Sequence, residues 1–284
     1  MSVGRSRTDW DPSAEDTPLA SGGRRIGLIA TAESEYLLRV LNELYIRGNP
    51  PTDIFLGSWV ERLLFRVRSL ERIHKRHGVA EVGWRMLDRL RERPRRAEVG
   101  SVTVATSLED GATLHRYDCI NSGQLILDLR LADLDLLLLC GCGIVSRHVI
   151  GAARAVVNSH PALLPGVRGV DVVEWSLLMG SPLGVTAHLV VPRVDAGPVL
   201  ATKSIHLNRG ESLADLKARI FKHQAELLVS AALRLAAGDS TSRPQSLKDS
   251  QLFFASTHGD RKEASGIYGR LVADLSVGAG ERGA

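Results

Sequence analysis

The stretch Val156–Pro161, with the sequence VVNSHP, has the pattern of a buried strand that ends in polar side chains. Its two valines favour extended backbone, in which residues two positions apart point to the same side. Asn158 and His160 therefore project together, and Pro161 favours an extended conformation at His160. Ligand sites of open parallel sheets lie at the carboxyl ends of strands, so this pair marks a candidate site.

The residues before this stretch predict an α/β fold with a mostly parallel sheet. Ile26–Ala30 and Asp53–Gly57 have the length and composition of short strands. Between them, Glu33–Tyr45 has apolar residues at helical spacing. Leu134–Leu139 is a further aliphatic run of strand length. Strands that alternate with helices in this way are typical of parallel sheets.

The residues after the stretch continue the same alternation. A helix is predicted over Val172–Met179, followed by strands over Val185–Val191 and Val199–Ile205. Glu211–Ala237 has one apolar helical face, and Ser212 is placed to cap its first turn. These elements complete the predicted core and begin a helical segment beyond it.

We predict three regions along the chain. Residues 1–24 are polar and are predicted to form a flexible N-terminal tail. Residues 25–205 are predicted to form the main α/β domain, and residues 206–284 a C-terminal helical extension. The sequence assigns no role to the residues after 240.

An arginine-rich segment, residues 59–96, is predicted to form a basic helical hairpin within the main domain, with Gly78 between its two helices. One interpretation is an arm that faces anions or RNA. The other, which we prefer, is an amphipathic hairpin with a solvated basic face, because exposed aromatic residues do not interleave with the basic ones.

The composition is that of an ordinary globular protein. The 284 residues are 44% hydrophobic and 24% charged, with a formal net charge of +4 that permits an acidic ligand without requiring nucleic acid. The three cysteines, Cys119, Cys140 and Cys142, have the spacing of neither a disulfide framework nor a zinc site, so we expect free thiols and no metal. We expect a cytoplasmic protein without a membrane partner, because the chain has no signal-like segment and no apolar run approaching roughly 20 residues.

The residue types at the strand end point to chemistry at a carbonyl group. An amide and an imidazole side by side can both donate hydrogen bonds to one oxygen, which stabilises the negative charge that develops there during attack. Asp195, in the loop Val194–Pro198, is the candidate carboxylate that would stabilise an imidazolium and accept a proton from an attacking amine. Each of these features alone is more typical of an ordinary turn.

Four sequence blocks in order resemble the folate-dependent formyltransferase family. That family includes glycinamide ribonucleotide transformylase, methionyl-tRNA formyltransferase, sugar N-formyltransferases and 10-formyltetrahydrofolate hydrolase. The blocks are Asn158–Pro165 (NSHPALLP), Arg168-Gly169, Gly184–His188 (GVTAH) and Val194–Pro198 (VDAGP). The resemblance is strong over residues 134–200 and weaker back to Ile26. It implies a Rossmann-like formyltransferase core over residues 25–205, with 10-formyltetrahydrofolate as co-substrate.

The resemblance also implies roles for particular residues. The family's catalytic asparagine, histidine and aspartate match Asn158, His160 and Asp195. The positions that line the family's pterin pocket match Cys142, Gly143, Ile144, Val145, Ala162, Leu163, Leu164 and Pro165. His188 matches a second histidine of the glycinamide ribonucleotide branch, and a supporting role and plain strand packing are equally open for it.

The sequence departs from particular branches of the family. The loop Ala30–Glu35 has no glycine and two carboxylates, where the glycinamide ribonucleotide enzymes use a glycine-rich loop to hold phosphate, so we reject that acceptor. The carboxylates would favour either a cationic amine or the helix N-terminus itself. Fewer than 80 residues follow Ile205, which argues against the barrel domain of the tRNA enzymes, and the N-terminal tail is too short for the extra domain of the hydrolase.

The leading hypothesis is transfer of a formyl group from 10-formyltetrahydrofolate to a primary amine or hydroxylamine of a small molecule, such as an amino sugar or an amino acid derivative. The alternative within enzymes is a hydrolase that releases formate from the same co-substrate. The alternative of another class is a non-catalytic folate- or RNA-binding protein. We expect no nucleic-acid partner, and the sequence leaves a homodimer open.

Overall fold

The computed structural model describes residues 24–91, 101–248 and 250–277. Nearly all of the predicted tail 1–24, and residues 92–96 of the predicted hairpin, therefore lie outside the described residues. In chain order the elements are β1 (Ile26–Ala30), α1 (Glu35–Ile46), β2 (Asp53–Gly57), α2 (Trp59–His77), α3 (Val79–Arg91), α4 (Val104–Glu109), β3 (Thr113–Tyr117), α5 (Gly123–Leu131), β4 (Leu136–Leu139), α6 (Arg147–Ile150), β5 (Ala155–His160), β6 (Val167–Gly169), α7 (Val172–Leu178), β7 (Gly184–Leu189), β8 (Val199–Ser204), α8 (Leu213–Ala236), β9 (Gln251–Phe253) and α9 (His258–Val277).

The main sheet has seven strands in the order β3-β2-β1-β4-β5-β7-β8. The first five strands in that order pair in parallel, and β7 and β8 pair antiparallel beyond β5. The prediction of an α/β fold with a mostly parallel sheet is confirmed, as is the helical C-terminal segment. A second, two-stranded parallel sheet joins β6 to β9.

Both faces of the main sheet are buried, which explains the continuous aliphatic runs of its central strands. On one face, Leu28 and Leu138 pack in a cluster with residues of α1 and α8. On the other face, Ile29 and Leu137 pack with Leu125 of α5. Alternate residues of β1 and β4 therefore supply the two halves of the core.

One strand of the main sheet, β3, was not predicted because of its composition. The strand β3 lies at the sheet edge, and most of its side chains are exposed or half-buried, so it lacks the apolar pattern of a core strand. The helix α9 lies within the predicted C-terminal helical extension, although its sequence shows only a weak helical period.

The helices α2 and α3 are separated by Gly78, whose φ of 85° favours glycine. The helix α3 docks on the start of α9. Trp84 stacks on the ring of His258 at 4.4 Å, while Glu81 accepts a hydrogen bond from the His258 backbone N–H at 2.9 Å and pairs with Arg261 at 3.0 Å. Arg85 pairs with Asp171, the residue that precedes α7. The two helices are thus joined to the C-terminal part of the chain.

Within the described ranges, none of the helices combines the length and the apolar character that spanning a bilayer requires.

Candidate functional site

Asn158 and His188 face each other across the antiparallel pairing of β5 and β7. The His188 Nδ1 donates to the backbone carbonyl of Leu189 at 2.9 Å, which fixes the proton on that nitrogen. The opposite nitrogen, Nε2, accepts a hydrogen bond from the Asn158 amide at 3.3 Å. His188 therefore orients the Asn158 side chain, and the second amide N–H of Asn158 has no hydrogen-bond partner in the described residues.

His160 is buried at the end of β5, and its two ring nitrogens have different environments. Its Nε2 donates to the backbone carbonyl of Val167 at 3.0 Å. Its Nδ1 faces the carboxylate of Asp195, with 3.6 Å between Nδ1 and Oδ2. That separation is too long for a hydrogen bond, although the nitrogen faces the carboxylate. A proton on Nδ1 would be stabilised there by the opposite charge.

Asp195 lies in the loop between β7 and β8 with a φ of 49°, in the left-handed region. Its Oδ2 accepts a hydrogen bond from the Gly169 backbone N–H at 2.9 Å, and its Oδ1 lies 3.8 Å from His188 Nε2. The structure therefore brings together all four polar residues that the sequence singled out, from two strands and one loop.

The loop that carries Asp195 is held by residues outside it. Arg168 donates to the Val194 carbonyl at 3.0 Å and to the Ser250 hydroxyl at 2.6 Å. The Gln245 amide donates to the carbonyls of Asp195 and Gly197, at 3.2 Å and 2.5 Å. Sequence reasoning identified Arg168 only through the family resemblance and missed Gln245 and Ser250, since neither lies in a recognisable pattern.

Gly197 is the tightest point of this loop, because a Cβ there would lie 1.8 Å from the Leu189 carbonyl oxygen. We expect Gly197→Ala to lower the free energy of unfolding by about 3 kcal/mol, the upper end for overpacking, and to displace Asp195. Chemical denaturation measures the change in the free energy of unfolding. The matched control is Gly269→Ala in α9, where nothing lies within 4 Å of the new Cβ and a helical alanine stabilises by about 0.5–1 kcal/mol. Equal effects of the two substitutions would contradict the tight contact.

Burial is the main factor that lowers the pKa of both His160 and His188, and the nearby Asp195 carboxylate opposes it. A histidine whose folded-state pKa is lowered binds a proton more readily in the unfolded chain. The contribution of these two neutral imidazoles to stability is therefore fully present above the ordinary pKa of 6.5 and is lost as the pH falls below it.

We expect the free energy of unfolding to decrease below pH 6.5 by up to about 1.4 kcal/mol per pH unit for each buried imidazole. Denaturant titrations between pH 5 and 8 measure this slope. His188→Gln removes one of the two groups and is expected to flatten it, whereas an unchanged slope would show that His188 does not contribute.

The predicted pterin-pocket residues occupy two places in the fold. Ala162 and Leu164 are buried beside β7, where the Thr186 hydroxyl donates to the Ala162 carbonyl and accepts from the Leu164 N–H. The residues after β4 differ among themselves: burial raises the pKa of Cys142 to about 12, Val145 lies in the core, and Ile144 is 62% exposed. Leu163, Pro165 and Gly143 lie in the same two loops, and the pterin-binding role of all eight residues stays a prediction.

A cavity of about 370 Å³ lies between α2 and the loops that follow β3 and β4. Gly143 and Ile144 form one wall, and Glu61 and Phe65 of α2 form the opposite one. Burial raises the pKa of Glu61, while Arg68 and the backbone N–H of Ile120 oppose that effect. No sequence pattern distinguishes this carboxylate, because it lies among the charged residues of a basic helix.

A second cavity, of about 290 Å³, lies next to the four polar residues. Pro161, which follows His160, and Gly169, which binds Asp195, are both in its lining. The rest of the wall is mostly apolar and includes Phe221 of α8, with an ion pair at 2.5 Å between the buried Glu174 and the half-buried Lys217. Pro161 and Gly169 place this cavity near His160 and Asp195, although neither of those two residues is in its lining.

Comparison with known proteins identifies relatives of this chain. Residues 96–232 match the family described as "Formyl transferase". The methionyl-tRNA formyltransferase of Roseiflexus sp. (strain RS-1) is 28% identical over 200 residues, which cover 68% of this chain and 59% of that protein. The phosphoribosylglycinamide formyltransferase of Bacillus subtilis (strain 168) is 32% identical over 101 residues, covering 34% and 52%. The matched regions thus span less than two thirds of either relative.

Solved structures show a similar fold. The sugar N-formyltransferase from Shewanella sp FDAARGOS_354 superposes with a TM-score of 0.54 and 13% sequence identity, covering 86% of this chain and 87% of that one.

Proposed function

Residues 96–232 match the formyl transferase family, and from that match we propose that this protein is a formyltransferase, one that transfers a formyl group from 10-formyltetrahydrofolate to the primary amine of a small molecule. The observation that carries the proposal is the cluster at the end of β5. There the Asp195 carboxylate lies within 4 Å of the imidazoles of His160 and His188, and Asn158 is hydrogen-bonded to His188.

Each member of the cluster suits one part of the reaction. The acceptor nitrogen bonds to the formyl carbon, and negative charge develops on the formyl oxygen. The remaining amide N–H of Asn158 is a donor available to that oxygen, and the Nδ1 of His160 becomes a second donor when its ring is protonated. Asp195 stabilises the imidazolium and accepts the proton that the amine releases. As the bond from carbon to the folate N10 breaks, that nitrogen takes up the proton that Asp195 accepted from the amine, which restores the carboxylate.

The loop after β1 supports an acceptor without a phosphate at this position. Ser34 caps α1 by accepting from the Leu37 N–H at 3.2 Å, and Glu35 pairs with Arg39 at 2.8 Å. The helix N-terminus that would hold a phosphate is thus already capped by the Ser34 side chain and stabilised by the Glu35 carboxylate. The 290 Å³ cavity beside His160 favours a small amine with an apolar body, among which we include amino sugars, amino acid derivatives and hydroxylamines.

The test is tetrahydrofolate release from 10-formyltetrahydrofolate by the purified protein, with and without a pool of small primary amines. Release that requires the pool supports transfer, and mass spectrometry of the pool then identifies the formylated amine. Equal release without the pool would replace this proposal with hydrolysis to formate. Absence of release and of tetrahydrofolate binding would favour the non-catalytic interpretation, for which RNA affinity that falls steeply with salt is the separate check.

A further inference from the structure

Gln224 is a polar side chain on the largely apolar buried face of α8. It is 6% exposed, and Ile220, Leu227 and Leu228 of the same face lie in the main apolar cluster. Because a buried amide without a hydrogen bond is destabilising, a glutamine on this face requires a polar partner. That partner is the backbone carbonyl of Ser159, to which the Gln224 Nε2 donates at 2.5 Å.

Ser159 lies between the two polar residues at the end of β5, Asn158 and His160. Its side chain points to the opposite face of the sheet from theirs, because side chains alternate along a strand. Val157, two residues earlier, packs with α1 and α8 on that opposite face. Gln224 therefore contacts β5 on the face away from the two side chains that are proposed to act on the formyl group.

The carbonyl that Gln224 binds lies where β5 extends beyond its neighbouring strand. The pairing of β4 with β5 ends at Val157. The Val156 carbonyl accepts from the Val190 N–H at 2.8 Å, so it faces β7. Carbonyl groups of successive residues point to alternate edges of a strand, so that of Ser159, three positions on, faces the edge next to β4. Gln224 thus supplies a hydrogen bond at a point that β4 does not reach.

The helix α1 reaches the same contact through Tyr36 in its first turn. Burial raises the pKa of the Tyr36 hydroxyl, and the adjacent side chains of Gln224 and Ser159 oppose that rise. The three polar residues therefore lie together and connect α1, β5 and α8. Hydrogen bonds in apolar surroundings are stronger than in water, so the bond from Gln224 restricts the movement of β5.

We propose that Gln224 is a positioning residue, which holds the end of β5 so that Asn158 and His160 keep their orientation toward the formyl group. The proposal rests on the proposed function, since it assumes that these two residues act on that group. Gln224 does not line the 290 Å³ cavity, although Ile220, one turn earlier on α8, does. A role in holding the strand therefore predicts a change in kcat and not in the binding of the amine.

The test replaces Gln224 with methionine, which keeps the length of the side chain and removes the donor. In Gln224→Met we expect kcat for formyl transfer to fall roughly 10- to 100-fold through misplacement of β5, while KM for the amine changes by no more than about twofold. Gln124→Met is the matched control, because it makes the same change at an exposed position of α5. Its kcat is expected to equal that of the wild type.

A second variant, Gln224→Glu, tests the donor itself. Its carboxyl group can donate a hydrogen bond to the Ser159 carbonyl when it is neutral and cannot when it is ionised. Burial favours the neutral form, so the ratio of its kcat to that of the wild type is expected to rise as the pH is lowered from about 8 to about 6. A ratio that never exceeds the one measured for Gln224→Met would show that the donor is not needed and would overturn the proposal.

NMR of the histidine side chains gives a readout that needs no substrate. The imidazole nitrogen signals of His160 are expected to shift in Gln224→Met and to stay in place in Gln124→Met. Unchanged His160 signals or an unchanged kcat overturn the proposal, and a raised KM with kcat preserved overturns it by assigning Gln224 to binding of the amine. A wild type without turnover removes the proposed function, while a shift of the His160 signals still supports the role of Gln224 in holding β5.

Discussion

Asp195→Asn is expected to lower kcat for formyl transfer by about 1000-fold, within the range for loss of a catalytic acid or base. The asparagine can still accept the hydrogen bond from the Gly169 N–H through its side-chain oxygen, so the loop is expected to keep its conformation. It can neither accept a proton from the amine nor stabilise a charged His160 across the 3.6 Å gap. Steady-state tetrahydrofolate release measures the effect, and thermal unfolding confirms that the variant is folded.

The control for this substitution is Asp128→Asn, which makes the same chemical change on the exposed surface of α5. It is expected to leave kcat and the Tm unchanged. Near-normal turnover in Asp195→Asn, with normal turnover in the control, would show that the carboxylate is not required and would remove the main support for the proposed mechanism.

Asn158→Ala is expected to reduce kcat by roughly 100- to 1000-fold, as removal of one donor to a developing oxyanion does in other enzymes. Because that interaction strengthens in the transition state, KM is expected to change much less than kcat. Steady-state kinetics with the identified acceptor separate the two constants. The control is the exposed Asn208→Ala. A rise in KM with kcat preserved would instead assign Asn158 to substrate binding alone.

The strand pattern alone was sufficient to predict Asn158 and His160 as neighbours, because side chains two apart in a strand always share a face. The contact between Asn158 and His188 could not be predicted from the strand pattern. It depends on the register of two antiparallel strands, which a single sequence does not specify. Only the family resemblance placed His188 in the same site.

The residues that hold the site were beyond prediction for a related reason. Ser250 is 82 positions from Arg168, and Gln245 is 50 positions from Asp195. Such contacts are decided by the packing of the whole chain and leave no local period. Glu61 is a different case, since its surroundings in the sequence predict a solvated helix face, whereas the fold buries its side chain.

Because α3 docks on α9, its packing can be completed only after the C-terminal part of the chain has been synthesised. Glu81 and the residue whose backbone it binds, His258, are 177 positions apart. At about 5–20 residues per second, a ribosome needs roughly 10–35 s to make the intervening chain. During that interval Trp84 has no ring to stack on, so a newly made hairpin exposes apolar surface that a chaperone can bind until α9 arrives.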